Sequence, residues 1–393
     1  MGFREDSMAS TGLGTWRARA LAASALLALA VAVYLLGSTR IEVEGRWRGL
    51  FLLAARDGRM LELRDDLYLG DGARLLVGVS FSQLRRWLGA QPPQPAAGVA
   101  ALELDWDERA GRGLVRNRLG DGREVVTLFG RFEDDQGGHP RGLFVGGAVP
   151  EVAEDMANQD QSGMALRVPQ AWVHVWCSVN EALIDGDGGP RAVIYPGAFR
   201  FLGSRVLVED PRRVVLESAH EIMLRRGRIR MDRFAYFTAG APYFKLGIRL
   251  TALGPEPVSY AYLYGDEPWV GRFGSAEGNL GWVEGEVIPY EARVDPVQHR
   301  WAGIVDAKSG YANFIEWAGA DLPTDVYVSN RPGQFSDLSL RVPLRSNEVF
   351  VGLQWLGRRL EPGESQDIQL ILGLADRDPV TGAPRRPPMP PPR

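Results

Sequence analysis

Between Ala171 and Val179 the side chains segregate by parity: Val173, Val175, Cys177 and Val179 on one face, Trp172, His174, Trp176 and Ser178 on the other. Tyr243 to Thr251 repeats the pattern, with Phe244, Leu246, Ile248 and Leu250 against Tyr243, Lys245, Gly247, Arg249 and Thr251. Tyr260, Tyr262 and Tyr264 then line one face of the next segment. A period of two marks extended chain, because successive Cβ atoms of a strand point to opposite sides of the sheet. Further strands are predicted over 229–238, 282–287, 326–328, 349–356 and 368–374, with the turn Glu361-Pro362-Gly363-Glu364 joining the last two. No strand–helix–strand alternation runs through 164–375, which argues against a parallel α/β fold. An all-β antiparallel sandwich is expected there.

Residues 41–150 predict a smaller β-rich module. Ile41 to Glu44 alternates, and Leu61, Leu63, Leu67 and Leu69 fall on odd positions before the turn Gly70-Asp71-Gly72. Ser80 and Gln83 have capping-box spacing ahead of Phe81, Leu84 and Leu88, so a short helix is predicted up to Gly89. Leu102, Leu104 and Trp106 share a strand face, and Gly120-Asp121-Gly122 closes a hairpin. The aspartates at these turns read as turn formers; calcium-loop ligand spacing is absent. Residues 151–163, at the end of a Gly-rich and acidic stretch, read as a linker, and 376–393 as a Pro-rich, disordered tail.

The N-terminus carries an address. Ala20 to Thr39 has no charged residue, enough for about 30 Å of helix, and Arg17 and Arg19 flank it. A transmembrane helix over 20–39 is therefore expected, residues 1–19 staying cytoplasmic and the rest exported. A cleaved signal peptide is the alternative, although Ala30-Val31-Ala32 is followed by more apolar residues. The expectation is a single-pass inner-membrane protein with its bulk on the periplasmic side, held to the lipid bilayer by that helix.

Composition removes several classes. Lys and Arg number 45 against 49 Asp and Glu, so the chain lacks the positive field that a general nucleic-acid binder needs. Cys177 is the only cysteine, which excludes an internal disulfide, a zinc ribbon and a cysteine-bound cluster. Phosphate-loop, dinucleotide and serine-elbow motifs are absent, and His220, Glu217 and Glu221 alternate across a strand rather than converge. No metal and no cofactor is expected.

Strands that are aliphatic on one face and aromatic plus polar on the other admit two explanations. Tyr and Trp can simply cover the core. Alternatively they form an open sugar-binding face, since a pyranose offers flat CH surfaces for stacking and hydroxyls for hydrogen bonds. On the second reading Trp172, Trp176, Arg249, Tyr260, Tyr262 and Tyr264 bind the ligand, and Asp266, Glu267 and Trp269 border it from the turn that follows the tyrosines. Parity equally permits the inverse, with the aromatics inward; burial decides between them.

The run Tyr243-Phe244-Lys245-Leu246 through Gly254, the segment Val258-Ser259-Tyr260-Ala261-Tyr262 and the closing Leu360-Glu361-Pro362-Gly363-Glu364-Ser365 resemble the galactose mutarotase-like supersandwich of aldose 1-epimerases. The resemblance covers about 210 residues. It implies a sugar ligand and, for an epimerase, a histidine acid and a glutamate base. His174 or His220 and Glu316 are the residues of those types in the strand-rich part. The expected function is therefore binding or modification of an envelope glycan, with turnover left open. The alternative is a non-catalytic scaffold that holds envelope protein partners.

Overall fold

The computed structural model describes residues 46–54, 61–68 and 74–80 by their backbone, and 98–130, 140–146, 163–168, 171–176, 180–186, 192–266, 268, 270–271, 278–284, 286–330, 342–345, 349–378, 380–381, 383–385 and 387. Contacts divide the chain after Gln94. In the first unit, β1 (Arg46–Ala54), β2 (Leu61–Tyr68) and β3 (Arg74–Ser80) form an antiparallel sheet in the order β2-β1-β3. The helix expected at 80–89 lies outside the described residues, apart from Ser80 at the end of β3.

The second unit opens with β4 (Ala101–Asp107), β5 (Arg112–Arg118), β6 (Glu124–Phe129), β7 (Met164–Val168) and β8 (Ala171–Trp176), paired in that order as one sheet. The boundary expected near residue 150 is thereby corrected. The ladder between β6 and β7 crosses the expected linker and ties 101–129 to 164–176.

There follow β9 (Ala182–Asp185), β10 (Val193–Ile194), β11 (Arg200–Asp210), β12 (Arg213–Leu224), β13 (Gly227–Thr238), β14 (Tyr243–Leu253) and β15 (Val258–Asp266). Shorter strands come next: β16 (Asn279–Val283), β17 (Glu286–Ile288), β18 (Ala292–Val294), β19 (Trp301–Asp306), β20 (Asn313–Trp317) and β21 (Asp325–Ser329). Two long ones, β22 (Phe350–Leu360) and β23 (Ser365–Leu374), complete the sandwich. Nine strands pair as β11-β12-β13-β14-β23-β20-β19-β16-β17 and six as β10-β9-β15-β22-β21-β18. All these ladders are antiparallel.

The inner face of the nine-stranded sheet supplies Ile229, Leu246, Ile248, Leu370 and Leu372 to the main core. Leu102, Phe129 and Val173 come from the five-stranded sheet, Tyr262, Leu353 and Trp355 from the six-stranded one. The two smaller sheets thus share the second layer, and the β8 backbone joins it through His174 N–H to the Gly271 carbonyl at 2.9 Å. Side chains as large as Trp355 and Phe244, removed from water, each stabilise the fold by about 1.5–3 kcal/mol.

β22 and β23, joined by the predicted turn, do not pair with each other. The turn at Glu361–Glu364, with Gly363 at φ 78°, carries the chain from one layer to the other. β22 enters the six-stranded sheet between β15 and β21, and β23 enters the nine-stranded sheet between β14 and β20.

The expected single-pass inner-membrane placement is corrected as well. Among the described residues the helical element is the short 3-10 turn Pro196–Ala198, and no helix is long and apolar enough to cross a membrane. Residues 20–39, on which that expectation rested, lie outside the described residues.

Candidate functional site

The outer face of the nine-stranded sheet is where polar and aromatic groups stay in water. On β13 the odd positions Ile229, Met231, Arg233, Ala235 and Phe237 are buried, while Arg230 and Tyr236 are exposed and Asp232 and Phe234 half-buried. On β14 the even positions are buried, and Lys245 and Arg249 stand out with Gly247 between them.

Register turns these alternations into rows. Val215, Tyr236, Lys245, Ile371, Glu316 and Trp301 stand side by side across β12, β13, β14, β23, β20 and β19. With strands about 4.8 Å apart, that row is about 24 Å long. The next row holds Glu217, Phe234, Gly247 and Gln369, and the one beyond it Ala219, Asp232, Arg249 and Asp367.

The rings of Phe234 and Tyr236 lie 6.4 Å apart and 26° from parallel. Opposite Phe234, Gly247 presents no side chain, and the Phe234 and Tyr236 side chains lie 3.8–4.0 Å from where its Cβ would stand. Charged groups frame the pair. Arg205 pairs with Glu217, Arg230 bonds both Asp232 oxygens at 2.9 Å, and Arg249 bonds Asp367 at 2.7 and 3.1 Å. Partial burial and then Glu217 raise the Tyr236 hydroxyl above its ordinary pKa, with Arg249 opposing, so that hydroxyl is a neutral donor at physiological pH.

Farther along the same face the character changes. Tyr243, Trp282, Phe314 and Ile371 are buried in a second aromatic cluster, flanked by Trp301. Trp301 meets Trp282 edge-on at 4.6 Å. Glu316, 8% exposed, stands where the charged field ends and this cluster begins.

The sequence-predicted site residues separate. Arg249 and Glu316 belong to the outer face just described. Trp172 packs with Val126, Leu128 and Ala165, whereas Trp176 belongs to the main core. Tyr260, Tyr262 and Tyr264 are at most 1% exposed and face the interior. The aromatic groove expected from 171–179 and 260–264 is therefore corrected: the three tyrosines face the main core, whereas on β8 Val173, Val175 and Trp176 face that core and Trp172 is buried in a separate cluster. Asp266 is buried at the end of β15, and Glu267 and Trp269 lie outside the described residues.

Both candidate histidines are interior. His174 is fully buried on β8. His220 sits on the inner face of β12, its Nε2 at 2.7 Å from the Arg141 carbonyl and its ring 5.1 Å from Phe144. Burial holds both rings down to a pKa of about 4. Neither shares a face with Glu316, so the expected histidine–glutamate pair is not assembled.

A polar centre occupies the interior instead. Arg233, wholly buried, places Nη1 at 2.6 Å from both oxygens of Glu181, and the Tyr262 hydroxyl donates to the same carboxylate at 2.7 Å. The guanidinium lies 4.2 Å over the Phe144 ring. Burial opposes the Arg233 charge most strongly, but the Glu181 carboxylate together with Tyr262 and Tyr264 outweighs it, and the pKa stands above the ordinary value.

Sequence reasoning missed Phe234, Tyr236, Glu181 and Arg233. The first two carried a signal: the even positions 228–236 are polar or aromatic, and the odd ones aliphatic except Arg233. Glu181 carried none.

No family model and no curated protein matches the chain. Among solved structures, it is similar to a putative aldose 1-epimerase from Klebsiella pneumoniae subsp. pneumoniae, at 10% identity over 74% of this chain and 86% of that one, with a TM-score of 0.40. A galactose mutarotase-like protein from Clostridium acetobutylicum is similar at 10% identity over 70% and 98%, with a TM-score of 0.39. For a GH36 alpha-galactosidase from Geobacillus stearothermophilus the figures are 10%, 70% and 41%, with a TM-score of 0.36.

Proposed function

We propose that the outer face of the nine-stranded sheet binds a carbohydrate, with Phe234 and Tyr236 as the stacking surface. The observation that carries this reading is the half-stacked pair of an exposed Tyr236 and a half-buried Phe234 on the outer face, framed by paired charges. A sugar ring needs an aromatic plane for its CH face and fixed donors and acceptors for its hydroxyls. Tyr236 and Phe234 supply the plane. Lys245 and Gln369 supply donors beside it, and Glu217, Asp232 and Asp367, already held by arginines, supply oriented acceptors. With nearly every arginine on this face paired to a carboxylate, the ligand is an uncharged glycan. Binding rather than turnover is favoured, because the candidate acids His174 and His220 are buried in the interior, away from Glu316.

The test is calorimetric titration of the full chain with neutral oligosaccharides: maltohexaose, cellohexaose and a galactan fragment. Saturable binding of at least one is expected, and Tyr236→Ala should weaken it by about 1–3 kcal/mol, as the loss of an aromatic anchor does. Leu207→Ala, on the exposed edge strand β11, should leave it unchanged. No binding to any of the three, or binding indifferent to Tyr236→Ala, would refute the assignment. Proteins co-purifying with the chain in that case would favour the scaffold alternative.

A further inference from the structure

The interior centre around Arg233 has donors that no protein group accepts. A guanidinium is planar and carries N–H groups on Nε, Nη1 and Nη2. Glu181 engages only Nη1, through both of its oxygens. Nε and Nη2 are buried and make no hydrogen bond, although Arg233 is 0% exposed. Phe144 covers one face of the group with its π cloud, which balances charge but accepts none of these in-plane hydrogens.

Two further groups here have spare capacity. The Tyr264 hydroxyl is buried without a partner and close enough to Arg233 to feel its charge. His220 spends Nε2 on the Arg141 carbonyl, so its neutral ring leaves Nδ1 as a bare acceptor, also buried and unbonded. Phe144 lies beside both Arg233 and His220, its ring 4.2 Å from the guanidinium and 5.1 Å from the imidazole. The inner faces of β12, β13 and β15 thus bring together unmade donors on Arg233, a donor and acceptor on Tyr264 and an acceptor on His220.

We infer that this centre is a built binding site for ordered water, which accepts from Arg233 and donates toward Tyr264 or His220. Water suits the inventory because it both accepts and donates, and buried waters typically make two to four bonds to such groups. An anion fits less well. The Arg233 charge is already matched by Glu181, so a halide would leave an uncompensated negative charge in a medium where that is costly. The site is independent of the carbohydrate face, which lies on the other side of the sheet.

Crystals of the full chain soaked in bromide provide the test. The expected result is a density peak about 2.7–3.2 Å from Nε or Nη2 of Arg233 with no anomalous signal. An anomalous bromide peak there would replace water by an anion, and the absence of any peak would overturn the site. In solution, the Arg233 Nε–H resonance should show magnetisation transfer from a long-lived water. Arg233→Met/Glu181→Leu should remove the peak while leaving the fold. Loss of the water in that variant together with unchanged oligosaccharide titration would separate this centre from the outer face; a retained peak would refute the role given to Arg233.

Discussion

Lowering the pH should destabilise this protein before its carboxylates become neutral, because two imidazoles must stay uncharged inside it. His174 and His220 are at most 1% exposed, and burial brings each to a pKa of about 4 from the usual 6.5. At His220 the Arg141 carbonyl works the other way, and the Arg233 charge adds to the depression. Above pH 6.5 both states are neutral and stability does not change with pH on their account. Between about 6.5 and 4 the unfolded chain takes up protons that the folded chain refuses, so stability falls as pH falls. The slope approaches about 1.4 kcal/mol per pH unit for each ring. From pH 7 to 5 that amounts to about 2 kcal/mol per histidine and about 4 kcal/mol for both. Urea denaturation of the full chain at about pH 7, 6 and 5 measures it, in a range where most carboxylates stay ionised. His220→Gln, whose amide can still donate to the Arg141 carbonyl, should halve the loss. Stability that is flat over this range, or a slope unchanged by His220→Gln, would refute the reasoning.

Arg233→Met alone leaves the Glu181 carboxylate buried with only Tyr262, and should cost about 3–5 kcal/mol in denaturant titration. Arg233→Met/Glu181→Leu should recover most of that loss, since neither charge then needs a partner. Gly303→Ala should lower thermal stability by about 1–3 kcal/mol, because the new methyl would stand 2.1 Å from the Asn313 carbonyl oxygen, which accepts from the Trp282 indole N–H at 3.0 Å and belongs to a residue paired in the β20–β23 ladder. An unchanged melting temperature for Gly303→Ala would contradict the packing described there.

The strands were legible because alternation survives wherever one layer covers a sheet, as at Tyr243–Thr251. Which parity lies inside is a separate question. At 260–264 the tyrosines are inward because Tyr260 meets Gln366 and Tyr262 meets Glu181, partners that lie 106 and 81 residues away. No local pattern reports them. At 171–176 the two tryptophans of one parity went to different clusters, beside a bulge where β7 and β8 lose register between Met164 and Ala165. The division near 150 failed for a similar reason, since the β6–β7 ladder spans a stretch whose Gly-rich, acidic composition resembles a linker. On the outer face, Arg249 and Glu316 were picked out by residue type. Phe234 and Tyr236 were not, because the inward Arg233 disguises the alternation of β13.

The crossing of β22 and β23 between the layers sets an order of events during synthesis. Arg249 on β14 waits for Asp367 on β23, 118 residues later. At about 5–20 residues per second, roughly 6 to 24 s pass between the two leaving the ribosome. Throughout that interval β14 presents an unpaired edge in what becomes the middle of a sheet, joined by β20 once it is made, while β15 and then β21 wait in the other sheet for β22. Long hydrophobic edges of this kind are templates for other chains. Aggregation of the nascent protein should therefore be decided by how fast the last long strands arrive, and slowing translation between about residues 255 and 350 should lower soluble yield without changing one contact of the finished fold.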